Sequence, residues 1–223
     1  AAWDLRYGGP RARRPVSPEE TQFFGGPRGP QAMPGFYTLK LTVGDKVQEK
    51  RFEVRIDPTI SVTSADLQLI HDTTIKLRDM QSSANDALRT LDSLKAQLEQ
   101  IEKTVKDRMP DAPKELTAAI TDHTKQVEKL QDRLARRRTP TLGFGGGSEL
   151  ADRLGGLFFT IDGVNAAPTG PQREEFAVLQ SEFNEKMAEV NRFLNQTVPQ
   201  LNETLRRHNA PTVIAGKPIE LPR

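Results

Sequence analysis

From Ile70 onward, apolar side chains recur every seven residues, at Leu77, Ala84, Leu91, Leu98 and Val105. A second set, Thr73, Met80, Ala87, Leu94 and Ile101, stands three places after each earlier member. Such spacing returns to one side of an α-helix every two turns, so the pattern predicts a long helix with a continuous seam. Thr63-Ser64-Ala65-Asp66 has the spacing of a capping box and marks the start. No Pro or Gly intervenes before Arg108. At ~1.5 Å per residue the helix is on the order of 65 Å long.

Met109-Pro110-Asp111-Ala112-Pro113 predicts a tight reversal, with Asp111 as the cap of a second helix. Leu116, Ile120, His123, Val127, Leu130 and Leu134 then step by four and three, and the short link sets this helix antiparallel to the first. It runs to Arg136-Arg137-Arg138, and Thr139-Pro140 stops it. Phe144 lies in a Gly143-to-Gly147 connector that reads as flexible. Ser148 is placed to cap a short helix with Leu150, Leu154, Leu157, Phe158 and Ile161 on its apolar side. Thr169 and Gln172 open a third long helix, with Phe176, Leu179, Phe183, Met187, Val190, Leu194, Val198, Leu201 and Leu205 along one stripe. Pro199 falls inside it and predicts a kink, because it removes one backbone donor. Asn209 and Pro211 close it, leaving an extended tail to Arg223.

Residues 1–58 carry a different period. Tyr37, Leu39, Leu41 and Val43 alternate with Phe36, Thr38, Lys40 and Thr42, as in a half-buried strand. Gly44-Asp45 supplies a turn, and Phe52, Val54 and Ile56 resume the alternation on a returning strand. The parity slips between Val47 and Phe52, which predicts a bulge. Trp3-Asp4-Leu5-Arg6-Tyr7 reads as a further strand, separated from the hairpin by a Gly/Pro-rich loop over residues 8–35. Three strands cannot cover both faces of a sheet. The expected fold is therefore α+β, mainly α. A partial immunoglobulin-like β-sandwich end occupies 1–58. An antiparallel bundle of three long helices and one short helix occupies 59–223, with a Gly-rich connector at 140–148 and an extended C-terminal tail. The chain starts Ala1-Ala2-Trp3 on a strand-like segment, which reads as a piece of a longer polypeptide whose earlier strands lie elsewhere.

Charge and chemistry narrow the function. With 32 basic and 30 acidic residues the formal charge is +2, which gives no global case for nucleic acid. The densest basic runs are Arg11, Arg13 and Arg14, in the Gly/Pro-rich loop, and Arg136, Arg137 and Arg138, where cations oppose the negative end of a helix dipole. Cysteine is absent, so disulfides, thiolate metal sites and a cysteine nucleophile are excluded. No run approaches the ~20 apolar residues of a membrane span. His71, His123 and His208 stand far apart, without ligand spacing. His123 falls on the core seam, and His208 beside Arg206 and Arg207 complements a helix end. The Gly143-to-Ser148 loop follows a helix rather than a strand and lacks the lysine of a phosphate-binding loop. Glu174, Glu175, Glu182, Glu185 and Glu189 read as a solvated helix face, and Asn195-Gln196-Thr197 and Asn202-Glu203-Thr204 as chance glycosylation triplets. No catalytic, cofactor or metal residue is assigned.

The order of segments resembles the C-terminal region of bacterial BNR-repeat "glycosyl hydrolases", or sortilin-like β-propeller proteins. The resemblance rests on Trp3-Asp4-Leu5-Arg6-Tyr7, the run from Pro34-Gly35-Phe36-Tyr37 to Gly44-Asp45-Lys46, and Val54-Arg55-Ile56-Asp57-Pro58. Ala65-Asp66-Leu67 with Leu77-Arg78-Asp79, Ala166-Ala167-Pro168-Thr169 with Gln172-Arg173-Glu174, and Pro199-Gln200-Leu201-Asn202 fit the same region. It implies a secreted or periplasmic parent whose propeller precedes an immunoglobulin-like segment and then helices. No catalytic residue is carried over.

The expected function is a non-catalytic structural and interaction module. Its partners are the upstream propeller of the same polypeptide and a protein partner or second copy, with no nucleic acid and no membrane span. Trp3, Tyr7, Phe23, Phe24, Arg136, Arg137 and Arg138 are the expected interaction surface. Two alternatives stand beside it. One is a glycan-contacting accessory domain of a secreted hydrolase, using Trp3, Tyr7, Phe23 or Phe24. The other is a subunit of a larger extracytoplasmic complex or filament that accepts a strand at its sheet edge.

Overall fold

The computed structural model of the protein describes residues 2–15, 17, 28–135 and 149–222. The chain is mainly helical, and the sheet among the described residues is a two-stranded antiparallel hairpin. Its elements are β1 (Gly35–Val43), β2 (Lys46–Val54), α1 (Ser64–Arg108), α2 (Lys114–Leu134), α3 (Leu150–Asp162), α4 (Gly170–Arg192), a π-helical turn (Phe193–Thr197) and α5 (Val198–Arg207).

The helix seams pack as their spacing predicts. On α1, Leu77, Ala84, Leu91, Leu98 and Val105 are buried with Met80, Ala87, Leu94 and Ile101, while Ile70 is half-buried. Thr63 caps α1 by accepting from Asp66 N–H at 3.1 Å. Partner pairs then fix the directions. Gln131 reaches Asp92, and Lys95 pairs with Glu128, so α2 descends along the upper half of α1. The lower half is met by α3, whose Gly155 faces Gln81 and whose last residue, Asp162, lies at the level of Ile70 and His71. Two short helices thus stack end to end to match one long one. The third rod is α4 with the π-turn and α5. It rises antiparallel to α3 and α2, with Gln172 at Thr160 and Arg207 at Glu115.

Local expectations are met in part. Asp111 does not cap α2; the N-cap is Pro113, with no side-chain hydrogen bond. Among the described residues α2 ends at Leu134 with Ala135 as C-cap. The Arg136–Arg138 triplet and the Gly143–Gly147 connector lie outside the described residues, and the N-cap of α3 is Glu149 rather than the expected Ser148, with no side-chain hydrogen bond. The capping box at Thr169 and Gln172 forms in both directions. Pro199, however, acts through a widened turn. The Val198 N–H donates to Phe193 C=O, five residues back, and the helix passes through Phe193–Thr197 as a π-turn before the proline. One extra residue in the turn absorbs the donor that Pro199 cannot supply.

Along the acidic stripe of α4, the glutamates are engaged rather than merely solvated. Arg153 of α3 reaches Glu175 at 2.8 Å and Glu182 at 2.6 Å, and Arg133 of α2 reaches Glu185 and Glu189. Each exposed pair contributes at most about 1 kcal/mol. Together they set the register of both short helices against the third rod.

The C-terminal tail is bound, not free. A hydrogen-bonded turn follows α5: Asn209 N–H donates to Arg206 C=O, Ala210 N–H donates to Leu205 C=O, and Asn209 sits at φ 51°. This is the helix stop that a left-handed residue makes possible. Beyond it Val213 and Ile219 are buried. Val213 exchanges two hydrogen bonds with the Asn202 carboxamide, Ile214 with Gln97 and Ile219 with Asn191. Ser83 donates to Glu220 C=O at 2.8 Å. The partners fall in number along both α1 and α4–α5 as the tail proceeds, so it runs antiparallel to both in the groove between them. Asn202, read as part of a glycosylation triplet, spends its carboxamide here.

Candidate interaction surface

The N-terminal segment does not join the hairpin. Among the described residues it forms one isolated bridge, Arg6 with Gln31, with Tyr7 N–H donating to Pro30 C=O and Ala32 N–H to Leu5 C=O. Leu5 at φ 60° breaks the extended run that the sequence predicts for Trp3–Tyr7. Two structural devices hold this pair of segments. Gly29 passes so close to the first segment that a Cβ would stand 2.1 Å from the Tyr7 carbonyl oxygen. The buried Asp162 accepts from Arg6 Nη1 at 2.6 Å and from Gln31 N–H at 3.2 Å, tying both segments to the end of α3. Neither Arg6 nor Asp162 stands out in the sequence, since their meeting depends on a contact 156 positions apart.

The basic loop is likewise occupied by structure. Arg11 chelates Asp86 of α1 through Nε and Nη2, its N–H donates to Ser82, and Arg13 takes both oxygens of Asp92. Hydrogen bonding to these carboxylates raises the pKa of both guanidinium groups. Arg11 and Arg13 thus strap the segment to α1. Between that strap, α1 and the C-terminal tail lies a cleft of about 770 Å³, whose charged lining includes Arg11, Asp86, Arg89 and Lys217. Asp86 accepts from both arginines, so its charge is committed within the wall.

Of the residues expected to form an interaction surface, Trp3 and Tyr7 are described, whereas Phe23, Phe24, Arg136, Arg137 and Arg138 lie outside the described residues. Trp3 packs on Tyr37 at 5.3 Å and on Phe52 at 6.1 Å, and its Nε1 donates to Arg6 C=O. Tyr7 rests on His71 of α1 at 5.2 Å. The Tyr37 hydroxyl donates to Met33 C=O. Desolvation, followed by the Tyr7 hydroxyl, pushes its pKa up. These rings form a hinge of aromatic contacts at the base of the hairpin.

Beyond that base the hairpin projects away from the helices among the described residues. No Cα of either strand comes within 8 Å of a helix Cα. The register runs without interruption from Gly35 opposite Val54 to Val43 opposite Lys46, so the expected bulge is absent. Val47 simply points to the other face from Phe52, which accounts for the slipped parity. Gly44 at φ 57° makes the two-residue turn.

This register sorts the side chains into two unlike faces. One carries Phe36, Thr38, Lys40 and Thr42 opposite Val47, Glu49, Arg51 and Glu53. It is internally matched: Lys40 pairs with Glu49, and Arg51 lies 4.1 Å over the Phe36 ring. The other carries Tyr37, Leu39, Leu41 and Val43 beside Lys46, Gln48, Lys50 and Phe52. Leu39, Leu41 and Val43 are 61%, 56% and 66% exposed, although their alternation is that of a buried strand face. Lys46 and Lys50 have no acidic partner among the described residues.

His123 is half-buried with Nδ1 against Ala119 C=O, and His208 closes α5 with Nε2 3.7 Å from Glu115, both structural placements. Among the described residues no cluster of His and carboxylates is arranged to hold a metal ion, and no helix is long and apolar enough to cross a membrane. No family model, curated protein or solved structure matches the chain.

Proposed function

We propose that the chain is a non-catalytic interaction module of an exported bacterial β-propeller protein. In this reading the three-rod bundle is a rigid base, and the hairpin is the closing part of an immunoglobulin-like sandwich completed by strands outside the described residues. One observation carries it. In a strand pattern made to be covered on one side, Tyr37-Leu39-Leu41-Val43, the three residues beyond Tyr37 stand uncovered. A solitary hairpin is marginal in water, so an exposed apolar column of this kind has its use in an interface. The packing of Trp3 and the hydrogen bond from its indole favour this over the glycan-contacting reading, because the ring already serves as the hairpin's anchor. The resemblance in segment order supplies the propeller and the export.

The coding sequence preceding Ala1 tests the parentage. Propeller repeats followed by the earlier strands of a sandwich support the proposal. A different preceding architecture, or a start codon directly before Ala1, overturns it.

A further inference from the structure

We infer that the open face of the hairpin is built for a protein β-sheet whose apolar strip is flanked by carboxylates. This rests on the reading of that face as an interface and names the chemistry of what covers it.

The two faces of the hairpin differ in how their charges are matched. Across the strand pair, the matched face neutralises its own charge: Lys40 sits over Glu49, and Glu53 is held by Arg55 at 2.6 Å. The open face has an apolar column on β1 and a column of Lys46, Gln48 and Lys50 on β2, with no carboxylate anywhere on it. Covering Leu39, Leu41 and Val43 brings both ammonium groups to the edge of a dry contact. There an unpaired charge is costly, and an opposite charge on the partner removes the cost.

Two other occupants fit less well. A second copy presents the same lysines and no acid, so face-to-face pairing of two hairpins sets like charges together. An anionic lipid surface would meet the lysines but would leave the outer strand edges against hydrocarbon, which offers them no hydrogen bonds. A protein sheet packed on this face satisfies the charges and the apolar column and leaves the strand edges open to water.

The test uses the full chain and three disulfide-closed β-hairpin peptides. Each carries Val and Leu on one strand of a face and either Glu, Ser or Lys on the other. Titration is followed by Trp3 fluorescence and calorimetry. The expected order is Glu tighter than Ser, and Ser tighter than Lys, with at least about a tenfold span that narrows as salt is added. The double variant K46E/K50E, whose side chains make no contact with the bundle, reverses the order, and K46Q/K50Q flattens it. Circular dichroism of each variant verifies that the fold is kept.

Equal binding of all three peptides overturns the charge inference while leaving the face as an interface. Binding of none overturns both. Concentration-dependent dimerisation abolished by Leu41→Asp assigns the face to a second copy and overturns the inference. Binding to phosphatidylcholine–phosphatidylserine vesicles, lost in K46E/K50E, assigns it to lipid and overturns it equally.

Discussion

The Asn191 carboxamide and the Ile219 backbone exchange two hydrogen bonds: Nδ2 donates to the Ile219 carbonyl at 3.1 Å, and the Ile219 N–H donates to Oδ1 at 2.8 Å. A side chain here does what a neighbouring strand does in a sheet. Asn202 at Val213 and Gln97 at Ile214 repeat the device, so the tail is held through its main chain as well as by the buried Val213 and Ile219 side chains. Asn191→Ala leaves one donor and one acceptor of the tail without protein partners. A loss of about 1–2 kcal/mol is expected. Amide exchange of Ile219 should rise far more than that of Leu91, which reports on the central helix.

A second contact holds the N-terminal segments. Asp162 is a buried carboxylate with Arg6 and the Gln31 N–H as its donors. Asp162→Ala removes the carboxylate opposite Arg6 and leaves its guanidinium only the Gly29 carbonyl among the described partners, so a destabilisation of about 3 kcal/mol is expected in denaturant unfolding. Because Trp3 Nε1 donates to Arg6 C=O, the same variant should shift the tryptophan emission before global unfolding.

The bundle and the hairpin differ in what a lost methyl group costs. Leu91 is fully buried, whereas Leu41 is 56% exposed. Leu91→Ala is expected to lower stability by about 2–5 kcal/mol, since a cavity is left in a packed seam. Leu41→Ala is expected to change it by less than about 0.5 kcal/mol in the isolated chain. Thermal or chemical denaturation of the two variants side by side measures the difference.

Acid should loosen the third rod. Burial alone would push the Glu182 carboxyl up, but hydrogen bonds and charge from Lys186 and Arg153 outweigh it and hold its pKa below the ordinary range. A carboxyl depressed in the folded state contributes stability that is complete above its unfolded pKa. That contribution is lost as pH falls through the folded value. Glu182→Gln should therefore lower stability near neutrality and flatten the acid limb of the stability profile, as read by denaturation at a series of pH values.

Legibility in the sequence followed the range of the interactions. The heptad of α1 and the stripe of α4–α5 depend on neighbours three and four residues away, and Leu77, Leu91, Leu98, Leu179 and Leu205 are buried as that spacing requires. The Thr169–Gln172 capping box is local and was equally readable. Contacts far apart in the chain were not. Nothing near Asp162 announces Arg6, and nothing near Asn191 announces the tail. The period of two identified the hairpin, but its interpretation depended on register. Val47 belongs to the face opposite Phe52, which the unbroken register shows and the period alone does not. Arg11 and Arg13 illustrate a similar limit, since a run of like charges does not reveal the carboxylates that a helix carries past it.

Hydrogen exchange of Phe36–Val54, compared between the isolated chain and the protein in its native polypeptide and assembly, tests the central claim most directly. Fast exchange of the hairpin amides is expected in the isolated chain and strong protection in the native assembly, with the α1 amides protected in both. Equal, fast exchange of the hairpin in both states would contradict it.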